Sequence, residues 1–176
     1  MMSSIDEPVS VSAYQASWSM EFTDEQQRIT AALDIAFADL EHIGSTAVPG
    51  LSAKPVIDMM LGVSTFPPPP SLLRSVEQLG YESLGEAGVA GRLYFRMRNP
   101  RQMNLHVVRK GGEHWINNLL LRDYLRNNAT ACQRYTRTKQ AVIAAGITTL
   151  LDYSAAKVDT INSLLQEAHL ASGKHA

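Results

Sequence analysis

The sequence has one cysteine, Cys132, so no internal disulfide can form. A lone thiol fits a reducing compartment, and its place beside Ala131 in a helical pattern marks it as a small residue of a helix face. Long apolar runs are missing as well; none approaches the ~20 residues that cross a bilayer. The N-terminus lacks the charged-then-apolar order of a secretory signal. The expectation is a cytoplasmic protein with no membrane partner. Net charge is only -1, and no long basic run carries interleaved aromatics, so nucleic acid is not an expected partner. A P-loop, a dinucleotide fingerprint and a Cys/His cluster of metal-binding spacing are absent too. Any anion site must therefore be local.

What is present is one stretch, Glu41 to Val63, that joins strand, tight turn, loop and strand. Asp58 stands in it between Ile57 and Met59. A carboxylate in such a run needs a partner or a task, because an unpaired buried charge is costly. The Gly44-Ser45 turn, continued by Thr46, and the Pro49-Gly50 pair bring backbone N–H groups within reach of an anion. Lys54 supplies positive charge four residues before the acid. Together these read as a small phosphate-and-metal site at the edge of a sheet. The alternative is that Asp58 caps a helix or pairs with an arginine, and that Lys54 reaches solvent.

The 176 residues suit one domain with a real core. Met1 to Pro8 is polar and reads as loose, and alternation from Val9 to Ala13 suggests a short edge strand. Trp18, Phe22, Ile29, Leu33 and Phe37 recur at helical spacing over Trp18 to Ala38. Pro55 to Val63 reads as a strand. Four consecutive prolines, Pro67 to Pro70, make a rigid connection, after which Ser71 is placed to cap a short helix ending at Gly80. Tyr81 to Leu84 reads as a strand, then a glycine-rich loop. Arg92 to Arg98 and Met103 to Arg109 form a hairpin with legible faces. Leu93, Phe95, Met97, Met103, Leu105 and Val107 are apolar; Arg92, Tyr94, Arg96, Arg98, Asn104 and His106 lie opposite. Helices follow over Glu113 to Asn128, Thr130 to Ala145 and Tyr153 to Leu170. Tyr135 with Lys139, and Tyr153 with Lys157, are spaced to share a helical face.

With these residues laid out, the chain resembles the GrpB family of the nucleotidyltransferase superfamily. The resemblance rests on E-H-I-G-S-T-A-V-P-G-L-S-A-K-P-V-I-D from Glu41 to Asp58. It continues through R-L-Y-F at Arg92 to Phe95, L-H-V-V at Leu105 to Val108 and L-R-D-Y-L-R at Leu121 to Arg126. Tyr14, Trp18, Tyr135, Lys139, Tyr153 and Lys157 complete it. It implies an α+β fold: a nucleotidyltransferase-like small mixed sheet with flanking helices and a helical C-terminal half, residues 1–176 forming one domain. It also implies a Gly-Ser turn for nucleotide phosphates and acids on the following strands for divalent metal. This chain keeps Gly44, Ser45 and Asp58, but Val56 or Met60 stands where a second acid belongs. His106 occupies the later strand where a third is sought, and Glu41 or Asp123 is left to complete a site in space.

Two functions follow. In the first, the protein transfers a nucleotidyl group from a nucleoside triphosphate to a small acceptor. Asp58 would hold Mg2+, and Lys54 and Arg92 would meet the developing charge. Phosphates or nucleotide would contact Gly44, Ser45, Thr46, Arg92, Arg96, His106, Arg122, Tyr135, Lys139 and Lys157. In the second, prompted by the missing acid, the fold is a non-catalytic module for a nucleotide or other phosphorylated small molecule. Related domains occur attached to dephospho-coenzyme A kinase, which implies an accessory role in some settings. The arginine face of the hairpin and the tyrosine–lysine pairs also suit plain solvation and helix packing.

Overall fold

The computed structural model describes residues 5–36 and 39–173. The start of the polar N-terminal segment, Met1 to Ser4, and the expected helix end at Phe37 and Ala38 lie outside the described residues. Five strands, β1 (Leu40–Ile43), β2 (Ile57–Val63), β3 (Glu82–Ser83), β4 (Arg92–Met97) and β5 (Met103–Arg109), form one sheet in the order β1-β2-β5-β4-β3. β2 and β5 run parallel, and the other neighbours are antiparallel. The described helices are α1 (Ser17–Leu33), α2 (Pro70–Gln78), α3 (Glu113–Asn127), α4 (Ala129–Ala144), α5 (Leu150–Ala155) and α6 (Val158–Ser172). This is the small mixed sheet with flanking helices and helical C-terminal half that the sequence implies.

Strand alternation decides what each face of the sheet covers. Ile57, Met59, Leu61, Phe95, Met103, Leu105 and Val107 are buried with Trp18 and Ile29 of α1 and Val76 of α2. The opposite face carries Asp58, Met60, Asn104 and His106. Here Ile43, Met60 and Val108 pack against Trp115 of α3. Gly62 belongs to this face, and a Cβ there would lie 2.6 Å from the Trp115 ring. Its bare backbone lets the indole rest on the strand. Val48, Leu51, Leu125, Tyr135 and Leu164 form a second core that ties the turn after β1 to α3, α4 and α6.

Several boundaries differ from expectation. The N-terminal segment is no edge strand: it makes two isolated pairings, Pro8 with Thr149 and Ser12 with Ala53, because it spans from helix connection to loop. α1 stops at Leu33, where Asp34 turns left-handed at φ 51°. α2 begins at Pro70 rather than after a Ser71 cap, since a first-turn proline lacks only an N–H that would go unpaired anyway. β2 starts at Ile57, and the strand expected over Tyr81 to Leu84 shortens to Glu82–Ser83, though Leu84 N–H still donates to Tyr94 O. The last predicted helix is two. Ala156 N–H reaches Asp152 O, but Lys157 N–H reaches only Ser154 O at 3.3 Å, a tightened turn that redirects the chain between α5 and α6. Tyr153 and Lys157 therefore share no single helix face.

Candidate functional site

Asp58 is held rather than free. The parallel register sets Asn104 of β5 beside it, and His106 beside Met60. Asn104 Nδ2 donates to Asp58 Oδ1 at 2.7 Å, and His106 Nε2 lies 3.6 Å from the same oxygen. The Asn104 amide is fixed in turn, because its Oδ1 accepts from Tyr94 OH (2.8 Å) and Arg98 Nη2 (2.9 Å). Burial opposes ionisation of Asp58, but His106, Lys54 and Asn104 outweigh it and hold the carboxyl well below its usual range.

The turn after β1 closes against this acid. Gly44 adopts φ 70°, ψ -169°, and a Cβ there would meet Asp58 Oδ2 at 2.8 Å. Ser45 opens the short 3-10 turn Ser45–Ala47. Its Oγ accepts from Lys139 Nζ at 2.8 Å, and the same ammonium donates to Ser52 O at 2.5 Å. Lys139 lies over the Tyr135 ring, 4.2 Å from its centroid. It is fully buried, which, with the charge of Lys157, lowers its pKa to about 7. Thr46 faces inward and pairs with His42 Nε2 at 2.9 Å, with His42 stacked on Phe22. Burial pushes His42 down to about 4, so it is neutral at physiological pH.

An open cleft of about 310 Å³ lies over Asp58, lined also by Lys54, Arg92, Tyr94, His106, Tyr153 and Lys157. The arginine is aimed by the glycine-rich loop: its Nη2 donates to Glu86 O (3.1 Å) and Ala87 O (3.3 Å), and Nη1 lies 3.5 Å from His106 Nδ1. Arg92 Nε is buried without a hydrogen-bond partner, an unusual state for so polar an atom. Lys157, at the start of α6, keeps its contact with Tyr153, with Nζ 3.9 Å from the ring centroid. Burial lowers its pKa to about 8.

Other candidates lie outside this cleft. Arg96 is buried and pairs with Glu82 (2.8 Å) and Glu7 (3.7 Å). Arg122 joins α3 to β1, donating to Glu41 (2.7 Å) and His42 O (3.1 Å), with Asp123 at 2.8 Å. Glu41 and Asp123, the acids left to complete a metal site, thus both serve Arg122. Among the described residues no group of three or more His, Cys, Asp or Glu could hold a metal ion. Mg2+ asks for several oxygen ligands, and the nearest neighbours of Asp58 are an amide N–H and an imidazole. The residues present do not fit a Mg2+ site built by the protein alone. Asn104 and Tyr94 are the residues of this cleft to which motif reasoning assigns no role; alternation places them on the right face, but only the register with β2 brings Asn104 onto the acid.

Residues 8–167 match the family model described as GrpB protein. A UPF0157 protein of Streptomyces coelicolor is 34% identical over 165 residues, covering 93% of this chain and 86% of its own. UPF0157 protein YqkA of Bacillus subtilis is 29% identical over 161 residues, which is 91% of this chain; the chain spans 47%, about half, of that relative. The crystal structure of conserved protein GrpB from Enterococcus faecalis overlays with a TM-score of 0.78 at 32% identity, covering 90% of this chain and 96% of that one. Among the described residues no helix is long and apolar enough to cross a membrane.

Proposed function

The chain belongs to the GrpB family, and we propose that it binds a phosphorylated small molecule, foremost a nucleoside triphosphate, in the cleft over Asp58. The observation that carries this reading is the charge of the cleft lining. Lys54, Arg92 and Lys157 face it against the one carboxylate of Asp58, three positive charges against one negative, and that carboxylate is already engaged by Asn104. A surplus of two positive charges, with His106 beside them, suits a polyanion. Arg92 also brings to the cleft a guanidinium, whose planar fork suits phosphate oxygens. Asp58 then orders the cations and His106 around itself instead of carrying a metal.

Calorimetric titration with ATP and with inorganic tripolyphosphate, each with and without Mg2+, tests the proposal. Both ligands should bind without Mg2+, and Arg92→Ala or Lys157→Ala should weaken them about tenfold or more, the scale of a lost charge-assisted contact. Failure of any phosphoanion to bind sinks it.

One observation favours a second reading, nucleotidyl transfer to a small acceptor. The Gly44 turn lies so close to Asp58 that only glycine fits, the juxtaposition of turn and acid that the family resemblance implies for a nucleotidyltransferase. In that reaction the acceptor hydroxyl oxygen would form a bond to the α-phosphorus and release its proton to solvent, while the α–β bridge breaks and pyrophosphate leaves. Mg2+ would arrive on the triphosphate. Pyrophosphate release from a nucleoside triphosphate that needs Mg2+ and is lost in Asp58→Ala would favour this reading over simple binding.

A further inference from the structure

We propose that the small cavity on the far side of the Gly44–Ser45 turn seats the planar base of the ligand, so that the occupant is a nucleotide and not a bare phosphoanion. This rests on the reading of the Asp58 cleft as a phosphate site. The cavity, about 160 Å³, is lined by Leu121, Arg122 and Leu125 of α3, Tyr135 of α4 and Ile161 of α6, with Gly44 and Ser45 beside them. It is about half the ~300 Å³ at which pockets for drug-sized ligands begin, so it suits one flat fragment. Leucine, isoleucine and a tyrosine ring favour an apolar, planar group. Asn118 at the rim supplies hydrogen-bonding capacity, with its amide fixed by donation to His114 O at 2.7 Å.

The two cavities meet at one residue. Gly44 lines the apolar cavity while the position its Cβ would take is 2.8 Å from Asp58 Oδ2 in the polar cleft. Gly44 is exposed, so the wall between them is a low crest of bare backbone. A ligand can pass over it with charge on one side and a ring on the other. The buried Lys139 extends the same arrangement: its Nζ holds Ser45 Oγ from beneath and stacks on Tyr135, which fixes the crest against both cavities. Arg122 also lines this pocket, but its guanidinium already serves Glu41, His42 O and Asp123, so the pocket offers a phosphate far less than the cleft does.

The test compares ATP, CTP and inorganic tripolyphosphate by calorimetry on wild type, Leu121→Trp and Ile161→Trp, each checked for folding by circular dichroism. Either tryptophan fills the cavity from a different helix. The nucleotides should bind wild type about tenfold or more tightly than tripolyphosphate. In a folded variant that advantage should fall to within about twofold while tripolyphosphate affinity is unchanged. Methyl resonances of Leu121, Leu125 and Ile161 should shift with nucleotide and not with tripolyphosphate, a readout that needs no substitution. Equal affinity for nucleotide and tripolyphosphate, or methyl signals that ignore the base, would overturn the inference while leaving the phosphate cleft standing. If no phosphoanion binds, the cleft reading fails and this inference with it.

Discussion

Gly44 and Asp58 are in contact across the β1 turn: the α-carbon of the glycine presses so near the carboxylate that a methyl group would lie 2.8 Å from Oδ2. The glycine also holds φ 70° with ψ -169°, a region nearly closed to other residues. Gly44→Ala therefore carries two penalties, backbone strain and displacement of a carboxylate that organises the cleft. We expect a stability loss of about 1–3 kcal/mol by urea denaturation, together with weaker phosphoanion binding. A variant that binds normally would separate the turn from the site.

Asn104 offers a sharper probe of why Mg2+ does not fit. Its Oδ1 is held by Tyr94 OH and Arg98, so in Asn104→Asp one new carboxylate oxygen stays satisfied while the other faces Asp58 in place of the amide donor. Two carboxylates so close repel and raise a pKa, and together they form the oxygen pair the natural chain lacks. The expected outcome is a lower melting temperature in the apo variant that Mg2+ or Ca²⁺ restores, with no comparable effect of either ion on wild type. Thermal melts with and without metal check this. Metal stabilisation of wild type to the same degree would contradict the account.

Lys139 predicts a pH dependence. Burial and then the charge of Lys157 lower its pKa from 10.5 to about 7. Between those values the unfolded chain holds a proton that the folded chain has released, so this group makes stability rise with pH across the window. The penalty is fully present below about pH 7 and relieved above the unfolded value. Lys139→Met removes its share of that slope, while Lys157 keeps its own, between about pH 8 and its ordinary 10.5. Denaturant titrations at several pH values between 6.5 and 10 measure it; an unchanged slope in the variant means Lys139 keeps an ordinary pKa.

How much of this was legible in the sequence follows from what each signal depends on. Alternation in Arg92 to Met97 and Met103 to Arg109 assigns both faces of the hairpin correctly, because a period of two needs only local sequence. The Asp58 and Gly44-Ser45 motif is local as well. The pairing of Asn104 with Asp58 depends on β5 returning parallel beside β2, a relation between residues 46 positions apart. Arg122 illustrates the converse. Its four-residue spacing from Arg126 marks a shared helix face correctly, but nothing in that spacing reveals Glu41 waiting on β1. The break between α5 and α6 has no proline or glycine to announce it; a tightened turn at Lys157 makes it, and the tyrosine–lysine contact survives by a different route.

Glu25 provides the last prediction, on the face of the sheet away from the site. Its side chain is fully buried, and its two oxygens accept from Arg28 at 2.5 and 3.0 Å, from Tyr81 OH at 2.7 Å and from Arg101 Nη1 at 2.7 Å. Burial raises its pKa, but Arg28, Tyr81 and Arg101 outweigh that and hold it below 4.5. The charge therefore contributes stability that is fully present above about pH 4.5 and lost as pH falls through the lower folded value. Glu25→Gln keeps the shape but turns an NH₂ toward donors and leaves two guanidinium groups without their anion. The expected loss is about 1–3 kcal/mol at pH 7, the scale of lost hydrogen bonds to a charged group, because Arg28 and Arg101 stay partly exposed, and it narrows below pH 4.5 as the carboxyl protonates. Phosphoanion binding should be unaltered, because α1 packs beneath the sheet and the cleft opens above it. Urea denaturation at pH 7, 5, 4 and 3 with a parallel binding titration decides the matter. A loss that stays constant down to pH 3 would mean the network acts through packing, not charge.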